Sequence, residues 1–545
     1  MKPITSKLLS SIENHPERPI LIFPDERISY EELYSRALNI AKSLHSMDVQ
    51  RGDHVGILMA NSIEYVEILF GAAFLGAIPV LYNGRFKARE ISHVTSDADI
   101  KVIITSDQID EHIDYGELLH SALPGLVDQE YGKTDFHISD ASSLQGAVML
   151  GGKQLEGFID QSTFKEMGEN VSDEKVTKHL HEIRSEDPAV MFYTSGTTAM
   201  PKGCYLDHIV LQHAGVVGGV ENLGLRDSDK VFAPLPMFHT AFSQPFSGIL
   251  HVGGTLISMK HFDAKPALDL IHKEAPTALF PAFAMITNEI MAQPEYTSDS
   301  FKSVRTIVNV GPEDVLMQLQ AKMPYTKQIT VFGMTETGGS VCMGNRELSD
   351  VERTQTCGPA LPGNEIEIHD PETNEKLPPN TPGEIVAKGI GVFSGYHNAP
   401  EKNAEVFDAE GWFHTGDLGE MTENGEIIFS GRIKDMLKVG GENVASVEVE
   451  GFLSTHDGVK LAAIVGLPDE KYGEVPVAYI EREEGSAVSE EEIIAYCNGQ
   501  IASFKIPRHA RFLTEWPMGA TKILKYELRE RIAKELRPIQ KAKFS

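Results

Sequence analysis

The segment from Tyr193 to Gly203, YTSGTTAMPKG, gathers residue types suited to holding phosphate. Thr194, Ser195, Thr197 and Thr198 supply hydroxyl donors, Gly196 exposes backbone N–H, and Lys202 adds a mobile positive charge. The segment follows the apolar run AVMF, so it leaves a strand end, where open α/β sheets bind ligands. A generic Ser/Thr loop is more often merely solvated; the order of residues here makes it a candidate grip for the β- and γ-phosphates of a nucleotide. Two commoner phosphate motifs fail. Gly132-Lys133-Thr134 ends like a P-loop, but Gly125 stands two places too early. GIGVFSG from Gly389 has its third glycine one place late, and reads as a strand-end turn.

The elements that must position this loop follow an α/β pattern. Asp53 to Asn83 reads as strand, helix, strand, a βαβ unit with parallel strands, in which Asn61 or Ser62 caps the helix. The apolar run Ile68 to Tyr82 is short for a bilayer span and is broken by Gly and Pro, so a buried helix entering a strand is expected and no transmembrane segment. Residues 110–185 read as loops, short helices and strands lying over the sheet. Strand-like runs return at AVMFYTSG, KVFAPLP, GTLISM, ALFPAF, TIVNVGP and ITVFGMTE. From about residue 355 short alternating strands form a β-rich module, and after Gly431 a small α+β unit with a basic helical tail follows. The expected architecture is a large N-terminal region, 1–433, of layered α/β subdomains plus the β-rich module, and a small mobile α+β domain, 434–545.

The 545 residues exceed what one core organises, and 41% hydrophobic content allows several cores. A formal charge of −30 makes nucleic acid and anionic membrane poor partners, so a bound anion needs positive charge placed locally. Cys204, Cys342, Cys357 and Cys497 are far apart and suit buried thiols in a reducing cytoplasm.

Downstream motifs give the loop its meaning. TSGTTxxPKG resembles the phosphate loop of the adenylate-forming enzymes, and further elements match that superfamily in order. They are PMFH at Pro236–His239, VFGMTET at Val331–Thr337 and GEIVAKGIGVFSGY. WFHTGDLG at Trp412–Gly419, GRIKDMLKVGGENV at Gly431–Val444, FKIP at Phe504 and TKILKYELR at Thr521–Arg529 follow. The chain is similar to fatty-acyl, 4-coumarate and crotonobetaine/carnitine CoA ligases along nearly its whole length.

The resemblance implies ATP-dependent activation of a carboxylic acid, with Mg²⁺, followed by thioester formation with CoA. Thr194 to Thr198 with Lys202 would grip the outgoing pyrophosphate. Glu336 would hold Mg²⁺ and Thr335 the α-phosphate. Gly311, Pro312, Phe332, Gly333 and Met334 would line the nucleotide site. Asp417 and Arg432 would take the ribose. Lys522 would reach both the carboxylate and the α-phosphate. His239 is carried over with the catalytic group and heads the acyl site, whose other walls are Phe242, Phe283, Val310 and Met334. Lys434 is the implied hinge, and Lys438, Gly440 and Gly441 form the implied CoA channel. Taken singly, Glu336 or Asp417 reads more readily as a cap or a solvated carboxylate; the motif context reverses that.

Three departures stand out: Ala199 and Thr521 replace frequent glycines, and Asn309 and Val310 occupy two glycine places before Gly311. The last of these should give an unusual acyl pocket. Phe238-His239 lacks the Asp that amino-acid-activating relatives use, and the candidate walls are apolar, so a medium- to long-chain or bulky ring-bearing acid is expected. Transfer to a carrier protein or an amine, and a catalytically inactive nucleotide-binding relative, are the competing expectations. A homodimer is the expected assembly, if any.

Overall fold

The strand–helix–strand reading of Asp53 to Asn83 holds. In a computed structural model that describes residues 1–130, 137–178, 180–194, 200–440, 442–469, 471–518 and 523–542, these elements are His54–Leu58, Ile63–Phe74 and Ile78–Leu81. Ser62 starts the helix by accepting the Tyr65 N–H at 3.1 Å. Gly76 follows it at φ +69°, a left-handed position that glycine takes without steric cost. The two strands pair in parallel, His54 opposite Ile78.

They belong to a seven-stranded sheet. Its order is Phe158–Asp160, Gly146–Leu150, Ile100–Ser106, His54–Leu58, Ile78–Leu81, Pro188–Thr194, Lys202–Asp207. Only the last pair is antiparallel. Gly146–Leu150 and Phe158–Asp160 are thus built into the sheet, whereas the sequence placed the strands of 110–185 over it. Their apolar runs are short, and only pairing reveals them as sheet members, Gly146–Leu150 with Ile100–Ser106 and Phe158–Asp160 with Gly146–Leu150.

A second seven-stranded sheet runs Lys327–Ile329, Thr306–Val310, Ala278–Phe283, Lys230–Phe232, Thr255–Ile257, Pro19–Ile22, Arg27–Ser29. One continuous apolar core joins the two sheets and the helices between them, with Phe70, Phe74, Phe232, Phe242 and Phe246 at its centre. The long apolar run is therefore core. Among the described residues no helix is long and apolar enough to cross a membrane.

The β-rich module is present as expected. The hairpin Val331–Met334 with Gly339–Met343 leads to an antiparallel meander of Asn364–His369, Gly383–Gly389, Phe413–Met421 and Ile427–Arg432. A single 3₁₀ turn, Ile433–Asp435, separates it from the next sheet. That sheet holds Met436–Val439, Glu442–Ala445, Val459–Asp469, Gly473–Arg482 and His509–Phe512, with its own two cores. The fold is thus a large α/β N-terminal body and a smaller C-terminal one. They meet where Gly451 faces Pro312, so closely that a Cβ at Gly451 would stand 2.7 Å from the proline ring. All four cysteines are buried and free.

Asn309 has a structural explanation. It is fully buried, takes the Thr287 hydroxyl proton at 2.7 Å and donates to Gln328 Oε1 at 2.9 Å. Gln328 in turn donates to the Leu316 carbonyl, and its own carbonyl accepts from Arg353. The side chain that replaces a glycine is therefore turned under the sheet, and of the two replacements only the half-buried Val310 reaches its rim. Asn309→Ala strands two buried polar groups and should lower unfolding free energy by about 1–3 kcal/mol. An unchanged urea midpoint would show that the network carries no stability.

Candidate active site

The phosphate-loop segment connects Pro188–Thr194 to Lys202–Asp207, antiparallel neighbours that make a β-hairpin. Thr194 lies opposite Lys202, and Tyr193 opposite Gly203. Ser195, Gly196, Thr197, Thr198 and Ala199 lie outside the described residues. The foot of the hairpin is tied to the helix Ala88–Asp97. Tyr193 Oη donates to Asp97 Oδ2 at 2.6 Å, and His93 Nε2 donates to the Pro201 carbonyl at 2.9 Å.

Glu336 sits beside that foot. The turn Thr335–Thr337 projects from a hairpin whose backbones approach too closely for side chains: a Cβ on Gly333 would collide with the Gly339 carbonyl. Thr337 Oγ1 locks the turn, accepting from Met334 N at 3.0 Å and donating to the Gly339 carbonyl at 2.7 Å. Glu336 Oε1 accepts the phenol proton of Tyr396 at 2.7 Å, and its backbone carbonyl accepts from Phe393 N at 2.8 Å. Burial, reinforced by the Glu336 charge, pushes the Tyr396 phenol well above its ordinary range, so it stays a donor. Lys202 Nζ lies 5.9 Å from the centre of the same ring. Partial burial and the nearby Lys402 lower its ammonium pKa, against the pull of Glu405 and Glu336. Thr194, Lys202 and Glu336 are thereby gathered at one place, with Thr335 next to Glu336 in the chain.

Asp417 and Arg432 face each other across neighbouring antiparallel strands. Arg432 Nε is 3.5 Å from Asp417 Oδ1, and Asp417 is only 7% exposed. The ion pair poises a carboxylate acceptor and a cation together at one edge of the module.

The acyl candidates divide. Phe283 and Val310 are register partners at the ends of adjacent parallel strands, and with Met334 they lie half-buried on the rim of the main core. Just before Phe283 the strand kinks, leaving Ala282 at φ +60°, a conformation costly for alanine. Gly311 and Pro312 follow Val310 and are also half-buried. Phe242 and Phe332 are different. Phe242 is stacked on Phe246 at 5.3 Å and is 2% exposed; Phe332 is stacked on Phe429 at 5.6 Å and is 6% exposed. Both rings belong to cores, so they shape the site from behind, and Gly333 is the exposed residue of that strand. His239 is the N-cap of the helix Thr240–Val252: its Nδ1 accepts from Ala241 N at 3.1 Å.

Lys434 lies in the turn between the two bodies, where Arg529 donates to its carbonyl at 3.1 Å and to Asp435 at 3.0 Å. Lys438 and Gly440 are exposed on the first C-terminal strand pair, with Gly440 at φ +63°. Gly441, Thr521 and Lys522 lie outside the described residues. Met518 and Ile523, which flank the latter two, bridge to each other. Among the described residues no three acidic, His or Cys side chains converge as a metal cage. A lone carboxylate among hydroxyls fits a Mg²⁺ that arrives with nucleotide phosphates.

Sequence reasoning missed Tyr396 and Asp97. Tyr396 closes the GEIVAKGIGVFSGY motif, but nothing in its spacing shows that its hydroxyl meets Glu336. Asp97 carries no signal at all.

Residues 8–397 match the family described as AMP-binding enzyme, and residues 448–523 match AMP-binding enzyme C-terminal domain. The chain belongs to this family, within the acyl-CoA synthetase and ligase group of adenylate-forming enzymes, and its class is that of the AMP-forming acid–thiol ligases. 4-Coumarate-CoA ligase 1 of Narcissus pseudonarcissus is 30% identical, covering 98% of this chain and 94% of its own length. Medium-chain acyl-CoA ligase ACSF2 of Rattus norvegicus, a mitochondrial protein, is 29% identical over 98% of this chain and 88% of its own. ATP-bound MatB from Rhodopseudomonas palustris superposes with a TM-score of 0.82 at 25% identity, covering 98% of this chain and 99% of that one. Its apo form, at the same identity and coverage, gives 0.73.

Proposed function

We propose that the protein is an ATP-dependent acyl-CoA ligase for an apolar carboxylic acid, either a medium- to long-chain fatty acid or a bulky ring-bearing one. The observation that carries this reading is the meeting of Thr194, Lys202 and Glu336 at the foot of the hairpin, with the Asp417–Arg432 pair and the Phe283, Val310 and Met334 rim on neighbouring elements. The named activities of the relatives, on 4-coumarate and on medium-chain acids, support it.

A substrate carboxylate oxygen attacks the α-phosphorus of ATP, the bond to the bridging oxygen breaks, and pyrophosphate leaves. Thr194 to Thr198 and Lys202 hold the departing phosphates. Glu336 would hold the Mg²⁺ that arrives with ATP, which would neutralise phosphate charge there, and Thr335 would hold the α-phosphate. The nucleotide rests against Gly311, Pro312, Gly333 and Met334, and Asp417 and Arg432 fix the ribose. Lys522 balances the charge on both anions as they meet. His239 stands at the head of the acyl site, with Phe242 supporting it from the core.

The boundary between the domains is placed at 433/434. Rotation about Lys434 then withdraws Lys522 and brings Lys438, Gly440 and Gly441 to the adenylate. The CoA sulfur attacks the acyl carbonyl, its proton goes to solvent, and AMP leaves. The described pose corresponds to the first half-reaction. The greater likeness to ATP-bound than to apo MatB supports this. Four buried free thiols suit the cytoplasm.

The test is a panel of carboxylic acids scored for pyrophosphate and AMP release with and without CoA. Apolar acids should lead, with AMP release dependent on CoA. Turnover confined to amino acids or short dicarboxylates, or AMP release needing a carrier protein or an amine in place of CoA, would overturn the proposal.

A further inference from the structure

We infer that Tyr396 is a positioning residue that fixes the metal-bearing carboxylate of Glu336 against the phosphate hairpin, so that nucleotide grip and metal grip form one unit. The inference rests on the reading of Glu336 as the Mg²⁺ ligand.

Tyr396 touches both halves of the site. Its Oη donates to Glu336 Oε1 at 2.7 Å, its backbone bridges to Cys204 on the returning strand of the hairpin, and its ring lies 5.9 Å from Lys202 Nζ. The phenol proton on Oε1 fixes the orientation of the carboxylate as a whole, and with it the direction that its second oxygen takes.

The tyrosine is itself held from several directions. Asn403 clamps its backbone, accepting from Tyr396 N at 2.7 Å and donating to Tyr396 O at 2.9 Å. Phe393 meets its ring edge-on at 4.9 Å, and the same Phe393 N binds the Glu336 carbonyl. The next two residues anchor the segment to the hairpin's own support: His397 Nε2 and Asn398 Nδ2 donate to the Asp97 carbonyl at 2.9 and 3.1 Å, while the Asp97 carboxylate takes the Tyr193 phenol proton. A carboxylate free to rotate would have to be ordered anew at each binding event; one pinned by a phenol keeps a single geometry.

The experiment titrates the full chain with α,β-methylene-ATP, a non-reacting nucleotide, with and without Mg²⁺. In the wild type Mg²⁺ should tighten binding. Tyr396→Phe should lose about 10- to 100-fold of that Mg²⁺-dependent gain, while metal-free affinity and thermal midpoint stay near wild type. A merely structural role would lower the midpoint and weaken both titrations alike, and that result overturns the inference. Glu336→Gln separates the two readings. If it keeps the Mg²⁺ gain, the metal assignment itself fails. If it loses the gain and Tyr396→Phe does not, the positioning role fails alone. The double variant should lose no more than Glu336→Gln alone; additive losses would mean that the two side chains act separately.

Discussion

Lys522→Ala should remove acid-dependent ATP–pyrophosphate exchange by at least about 100-fold, while thioester formation from supplied acyl-AMP and CoA survives nearly intact. The expected size follows from the charge problem. The attacking carboxylate and the α-phosphate are both anions, and the chain as a whole carries −30. A cation placed between them removes a repulsion that no nearby neutral group can offset. The asymmetry between half-reactions follows from the proposed rotation about Lys434, which would take the lysine away from the reacting atoms once acyl-AMP exists. Rapid-quench measurement of each half-reaction provides the check. Equal loss of both steps would place Lys522 in a structural role.

Glu336→Ala carries the second largest expected effect. The adenylation kcat should fall by roughly 100-fold or more, and its Mg²⁺ dependence should flatten, because the side chain proposed to order the cation is gone. The variant also leaves the Tyr396 hydroxyl without its acceptor in a partly buried place, so a modest fall in unfolding free energy, about 1–3 kcal/mol, should accompany the kinetic loss. The two consequences are separable: thioester formation from acyl-AMP needs no outgoing pyrophosphate and should be spared. A variant with ordinary Mg²⁺ dependence would remove Glu336 from the metal site.

The sequence disclosed this fold through periodicity and punctuation. The βαβ unit at Asp53 to Asn83 was legible because Ser62, Gly76 and the apolar runs mark its ends locally. The strands Gly146–Leu150 and Phe158–Asp160 were not placed correctly, because membership of a sheet is a property of the neighbour, and these runs are too short to announce one. The same division holds at the site. Glu336, Asp417 and Arg432 stand in recognisable motifs, and the structure does pair Asp417 with Arg432. Phe332 and Phe242 each stack on another phenylalanine, a pairing made by three-dimensional packing that their motifs do not announce. Asn309 looked like a change of pocket and is a change of foundation, since its amide meets Thr287 and Gln328 under the sheet. Asp97 and Tyr396 act through partners about 96 and 60 positions away, separations at which one sequence carries no signal.

The antiparallel return of Lys202–Asp207 has a last consequence, for how the enzyme lets go. A phosphate cradle at a helix N-terminus carries a permanent field, because the helix dipole cannot be switched off. The two antiparallel strands that flank this segment carry only a small net dipole. The proposed site instead joins one resident cation, Lys202 on the hairpin's own strand, to charges that would come and go: the Mg²⁺ carried in with the nucleotide, and Lys522 on the proposed mobile body. If the proposed rotation withdraws Lys522 and the cation departs with pyrophosphate, the positive charge left at the hairpin would be Lys202, on a chain of net charge −30, so the grip on phosphate would weaken after each adenylation.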